Sequence, residues 1–319
     1  MVENGKDIKS ISMKRENIFL HVVVWIGLMI AFTMVVSVGW LLSDVDKTAT
    51  SSLKWLQCIQ TLSLFLLPAL LCAWWWDDDH SPFRWLRMDK MISWRVVGLA
   101  ALVMVCAIPG INLLADLNNR IVLPECLSSL EQFFRQMEEE AALLTERFMQ
   151  ADNVWVMMIN MGLMAVLPAL AEEMSFRGVL QQLLSGKGAA ANGNRVSTRT
   201  HVAIWLTAFI FSAIHMQFYG FIPRLLMGAL FGYIFVWTGS LWVPIVMHFM
   251  NNGMAVLLYF ILSNGGVAMD TNYADTLGAG TTWWLGILSL LTVGILLRVL
   301  YLRITSQGPQ GYDHRTHTR

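Results

Sequence analysis

Long apolar runs separated by short polar stretches dominate this chain. About 20 apolar residues are needed to cross a bilayer, and eight runs approach that length. They lie near Ile18–Leu42, Leu53–Trp76, Val96–Ala115, Val154–Leu184, Val202–Phe218, Leu225–Trp237, Trp242–Leu262 and Trp283–Tyr301. The sixth is short and carries Gly228 and Gly232, which predicts a tilted helix or one buried among others. A different pattern fills Leu127–Gln150. There Leu127, Leu130, Phe133, Phe134, Met137, Ala141, Leu144 and Phe148 recur at helical spacing with acids opposite. This reads as an amphipathic helix on the interface or on the bundle, a structural cover more than a lid. The expected fold class is all-α, a polytopic integral membrane helical bundle with the active site inside it. Three parts are expected: residues 1–153 with three spans and the amphipathic helix, a core at 154–262, and a last span with its tail at 263–319.

Composition agrees with that picture. The chain has 319 residues, 56% hydrophobic and 14% charged, where soluble domains carry about 25% charged residues. The formal net charge is zero, so nothing suggests nucleic acid as a partner. Cys58, Cys72, Cys106 and Cys126 are scattered without metal-ligand spacing. The basic residues Lys6, Lys9, Lys14 and Arg15 precede an apolar run too long for a signal peptide, which predicts an uncleaved first span. With eight spans, 15 Lys and Arg fall on the side of the termini and 5 on the other, while Arg177 and Arg224 lie in or at span ends. The positive-inside rule then places both termini in the cytoplasm of a cell-membrane protein. The segment Trp74–His80, three Trp followed by three Asp and a His, reads as an interfacial aromatic belt with solvated charges.

Polar groups inside the spans change the picture most. Of the 22 acidic residues, only Glu172 and Glu173 lie within a predicted span, where an ionised side chain is costly unless paired or hydrated. Glu173 and Arg177, four apart on a helix, share a face and suit an ion pair. Glu172 points about 100° away, available to another partner. Pro168 cannot donate to the Met164 carbonyl and should kink the helix beside Glu172. His215 lies in the fifth span with Phe211 one turn before it, placed to pack its ring, and His248 lies in the seventh with Asn252 on the same face. Burying Glu172, His215, His248 and Asn252 on three spans is expensive unless they meet. Counted in helical rise, Glu172 comes out about 18 Å, His215 about 21 Å and His248 about 10 Å from the cytoplasmic helix ends, agreement only to within two turns.

These residues resemble the motifs of the CAAX-processing and bacteriocin-processing intramembrane endopeptidases, the CPBP or Abi family that includes the type II CAAX prenyl proteases. The family's E-E-x-x-x-R is matched by Glu172, Glu173 and Arg177. Its F-x-x-x-H is matched by Phe211 and His215, and its H-x-x-x-N by His248 and Asn252. The resemblance covers about Val154 to Asn252. It implies an endopeptidase acting on a membrane-associated or lipidated peptide, with Glu172 and His215 activating a water and His248 and Asn252 stabilising the oxyanion. Glu173, Arg177 and Phe211 would be structural support. The family is read both as glutamate-dependent and as metallopeptidase. Glu172, His215 and His248 would also suit an open zinc site, and spacing does not separate the two. Two other classes compete: a non-enzymatic immunity or scaffold protein, disfavoured by an unpaired buried base, and a proton-coupled transporter, disfavoured by the lack of an obvious repeat.

Overall fold

The structure, a computed structural model, describes residues 18–186, 196–264 and 277–306. The N-terminal basic residues, Lys187, Arg195 and the tail arginines Arg315 and Arg319 therefore lie outside the described residues. All nine principal elements among the described residues are helices: α1 Ile18–Leu42, α2 Thr50–Trp76, α3 Trp94–Asn119, α4 Ser128–Met149, α5 Val154–Ser185, α6 Thr198–Ala213, α7 Phe221–Thr238, α8 Trp242–Asn264 and α9 Trp283–Ser306. Seven of them, all but α4 and α6, are long and apolar enough to cross a membrane. The chain is a polytopic helical membrane protein.

The fifth expected span is where sequence and structure differ. It runs only from Thr198 to Ala213, about 24 Å of helix, and His215 lies beyond its end on a turn. The alternation of helix direction nevertheless includes α6. One end of the bundle gathers the 77–93 segment, the end of α5 and the α7–α8 turn. There Leu241 N–H donates to Arg87 O at 3.1 Å, and Gln182 Nε2 donates to Trp85 O at 3.1 Å. The other end gathers the tip of α3, the α6–α7 turn and α4. There Asn118 Nδ2 donates to Phe218 O at 2.9 Å, and Phe134 stacks on Phe218 with centroids 5.0 Å apart. The expected sixth span is longer than its apolar run, Phe221–Thr238, and one face of it is buried from Pro223 to Val236.

Two helices are widened ahead of a proline. In α2 a π-turn at Leu62–Leu66 precedes Pro68, and in α5 one at Gly162–Val166 precedes Pro168. Leu67 and Leu167 N–H then reach back five residues to Leu62 and Gly162 O. Proline brings no N–H and crowds the carbonyl four residues before it, and the wider turn relieves the crowding. A longer π-segment, Met174–Gln181, follows Glu173 in α5, and such segments recur at functional sites.

The apolar side chains form two main buried clusters. One joins α1, α2, α5 and α6 around Trp25, Phe65, Phe176 and Phe211, and the other joins α3, α7, α8 and α9 around Val103, Phe231 and Met247. The charged residues of α5 lie in the seam between them. At Trp74–His80 the polar groups serve the turn. Asp77 accepts from Ser81 N–H and Arg84, and the His80 ring packs on Trp74 with Nδ1 donating to Trp74 O at 3.0 Å.

Candidate active site

Glu173 and Arg177 form the expected pair, Nη1 to Oε1 at 2.7 Å, both side chains fully buried. A buried guanidinium needs more than one partner, and its second is backbone: Nη2 donates to Gly228 O on α7 at 3.0 Å. The cation also lies between two rings, 4.8 Å from the Phe211 centroid and 5.4 Å from Phe231, so one residue of each hydrophobic cluster holds it. The same arrangement repeats one turn on, where Gln181 Nε2 donates to Gly232 O at 3.0 Å. Glycine at both α7 positions permits this approach. A Cβ on Gly228 would stand 3.2 Å from Ala208 Cβ, and one on Gly232 would stand 2.7 Å from Gln181 Oε1.

His248 on α8 faces both carboxylates. Its Nδ1 donates to Glu173 Oε1 at 2.8 Å, and its Nε2 lies 3.9 Å from Glu172 Oε2. Phe231 lies nearly parallel to the imidazole at 5.7 Å, and Phe211 meets it edge-on at 6.1 Å. Glu173 therefore serves two partners where the spacing along α5 had suggested one. The reason is tertiary: nothing in the α5 sequence says which face α8 will present. Glu172, by contrast, keeps some of its side chain accessible, 13%, against none for Glu173.

Pro168 explains the place of Asn252. The Met164 carbonyl, denied its usual donor by the proline ring, accepts from Asn252 Nδ2 at 3.3 Å. Asn252 Oδ1 in turn accepts from Asn251 Nδ2 at 3.1 Å. One carboxamide hydrogen is left beside His248. The bond to Met164 O ties α8 to α5 about two turns before Glu172.

His215 reaches the site from a turn, not from a helix face. Helix α6 ends at Ala213, and Met216 takes a left-handed backbone, φ +55°, uncommon for a residue with a side chain. His215 Nδ1 donates to Phe211 O at 2.7 Å, which leaves Nε2 free to accept. Phe211 packs edge-on against His215 at 5.0 Å and so touches both histidine rings. His215 and His248 lie within electrostatic reach of each other. Among the described residues no three His, Cys, Asp or Glu side chains are gathered closely enough to hold a metal ion. A zinc site on Glu172, His215 and His248 would need those donors to converge further.

The seven residues singled out from the sequence thus surround one seam of the bundle. Residues 153–254 match the family described as type II CAAX prenyl endopeptidase, Rce1-like. The likeness to that family is confined to this segment, about a third of the chain. This segment holds all seven of those residues. A membrane-embedded CAAX protease, MroQ, of Staphylococcus aureus is 34% identical to the chain over 98 residues, 30% of this chain and 38% of that protein. An uncharacterised protein, YpbD, of Bacillus subtilis is also 34% identical, over 90 residues, 27% of this chain and 38% of that protein. The chain thus spans well under half the length of either relative. No solved structure matches.

One cation near these residues was not singled out from the sequence. Arg224 was noted only as a charge near a span end, yet it lies within electrostatic reach of Glu172 and His215. The signal available was a lone arginine inside an apolar run, the same signal that drew attention to Glu172.

Proposed function

We propose that this protein is an intramembrane endopeptidase that hydrolyses a peptide bond of a membrane-associated or lipidated peptide. The observation that carries the reading is the approach of His248 to both Glu172 and Glu173 within an apolar bundle, inside the Rce1-like segment. Buried polar groups are stable only when paired. Glu172 is the carboxylate left without a strong partner, and pure binding gives no reason to keep one.

In this mechanism Glu172, with His215 Nε2, orients a water and takes its proton as the oxygen attacks the peptide carbonyl. The C–O bond forms and the carbonyl electrons move to the oxygen. His248 Nε2–H and the remaining Asn252 N–H stabilise that oxyanion, the largest single contribution in reactions of this type. Glu173 accepts from His248 Nδ1 and holds the ring in place. The proton then passes from Glu172 to the leaving nitrogen, the C–N bond breaks as the carbonyl re-forms, and a carboxylic acid and an amine leave. Phe211 and Arg177 act through the groups that they position. The charge asymmetry read along the chain supports cytoplasmic termini in a cell membrane.

The test is cleavage of lipidated and membrane-bound peptides by purified protein, comparing wild type with Glu172→Ala. Loss of a general base typically costs about 10²–10⁴ in rate, so near-complete loss is expected with the protein still folded. Cleavage by Glu172→Ala at the wild-type rate would overturn the mechanism.

A further inference from the structure

His215 stands on a turn that has little helix of its own to fix it. Met216, the next residue, takes a left-handed backbone, φ +55°, and a residue with a side chain keeps that conformation only where its surroundings over-determine it. Helix α7 then opens at Gly220, which has no side chain to cap the free N–H groups of the first turn. Asn118, at the tip of α3, caps them from another helix. Its Oδ1 accepts from Ile222 N–H at 2.9 Å, and its Nδ2 donates to Phe218 O at 2.9 Å. One backbone partner is a donor and the other an acceptor, so the carboxamide satisfies both in one orientation only. The side chain is buried, 1% exposed. Two further contacts hold the same turn: Ser212 Oγ, fully buried, donates to Phe221 O at 2.8 Å, and Phe134 of α4 stacks on Phe218.

A catalytic group held to within about 0.5 Å owes that precision to the shell around it. The imidazole of His215 is tied to the end of α6, Nδ1 to Phe211 O, and the chain leaves it through Met216 toward Phe218. We infer that Asn118 is a positioning residue for His215: by capping α7 and holding Phe218 O, it fixes the far end of the turn and with it the direction of Nε2. The inference rests on the peptidase reading above, in which Nε2 shares the attacking water with Glu172. It adds α3 to the working unit, because Asn118 lies outside residues 153–254. That segment is then incomplete without the tip of α3, which holds one of its histidines in place.

The test compares full-length wild type in micelles with Asn118→Leu, which keeps the approximate volume of the carboxamide without its donor or acceptor. Two quantities are read: cleavage of a lipidated peptide, and the His215 imidazole signal in the magnetic resonance spectrum of histidine-labelled protein, assigned by its loss in His215→Gln. Asn118→Leu should lower kcat about 10- to 100-fold with KM nearly unchanged. It should also shift or broaden the His215 signal while that of His248 stays in place. Asn118→Asp keeps the acceptor for Ile222 N–H, and with it the cap, but lacks the N–H for Phe218 O. It should fold, and should move both quantities the same way by less. Asn112→Leu is the control. It removes another hydrogen bond of the same helix, Asn112 Nδ2 to Leu277 O at 3.1 Å, and should leave kcat and the His215 signal as they are. Wild-type kcat in both Asn118 variants would overturn the inference and leave the peptidase reading intact. So would lost activity with an unmoved His215 signal, or an equal loss in Asn112→Leu, which would assign the effect to general loosening of α3. If wild type cuts no lipidated peptide, the peptidase reading fails by itself, and the His215 signal still decides the clamp: unmoved in both Asn118 variants, the clamp fails too.

Discussion

Replacing Arg177 by methionine isolates the charge that holds the seam together. The wild-type guanidinium bonds Glu173 at 2.7 Å and Gly228 O at 3.0 Å between the rings of Phe211 and Phe231. Methionine can fill much of that space and contact both rings, so the lost term is mainly electrostatic. Glu173 would keep only His248 Nδ1 as a donor, with its Oε2 already lacking any partner. Removing one partner of a buried pair typically costs about 3–5 kcal/mol. Arg177→Lys keeps the charge but cannot bridge Glu173 and Gly228 O with one planar fork, and should cost about 1.5–3 kcal/mol. Unfolding in mixed micelles, followed by tryptophan fluorescence, measures both. The decisive measurement is the cycle with Glu173→Gln: the double variant should be more stable than the sum of the singles by at least about 1.5 kcal/mol. Additivity within about 0.5 kcal/mol would mean that the pair is not what stabilises the seam, and the reasoning would fail.

Other outcomes follow from the same geometry. Gly232→Ala places a Cβ 2.7 Å from Gln181 Oε1 and 2.9 Å from Ile204 Cγ2 and should cost about 1–3 kcal/mol. Gly27→Ala, with open space around it, should be close to neutral, and similar costs at the two sites would sink the close-packing argument. Asn252→Ala orphans the Met164 carbonyl and should cost about 1–3 kcal/mol; in a Pro168→Ala background, where the helix can bond that carbonyl itself, the cost should shrink. An undiminished cost there would show that the proline does not set the role of Asn252. Because the donors for zinc are not gathered, peptide cleavage should survive dialysis against a chelator. Loss of activity restored by added zinc would show that Glu172, His215 and His248 close further than they do here.

Much of this protein was legible in one dimension because membrane burial is a strict filter. An apolar run of sufficient length has few options besides a spanning helix, and α1 runs from Ile18 to Leu42 as its hydrophobicity suggests. Glu172 and Glu173 stood out for the same reason. The Glu173–Arg177 pair is local, fixed by the helical repeat, and Pro168 announced a free carbonyl at Met164. Other relations are not local. The partner of that carbonyl, the second partner of Glu173 and the contact between Arg177 and Gly228 all depend on how α7 and α8 dock against α5. His215 was expected on a helix face because its run is apolar throughout, yet α6 stops at Ala213 and the imidazole hangs from a turn. Hydropathy registers what surrounds a backbone, not whether it continues as a helix.

The depth mismatch has the same origin. Counting residues from helix ends assumed that the ends are level. The α7–α8 turn is covered by the 77–93 segment, where Ser240 and Leu241 are fully buried and bonded to Lys90 and Arg87 O. His248 reaches Glu172 and Glu173 despite its lower count from the start of α8. Chemical type and helical phase belong to the chain. Level, neighbour and partner belong to the packing, because they follow from contacts between residues far apart in sequence.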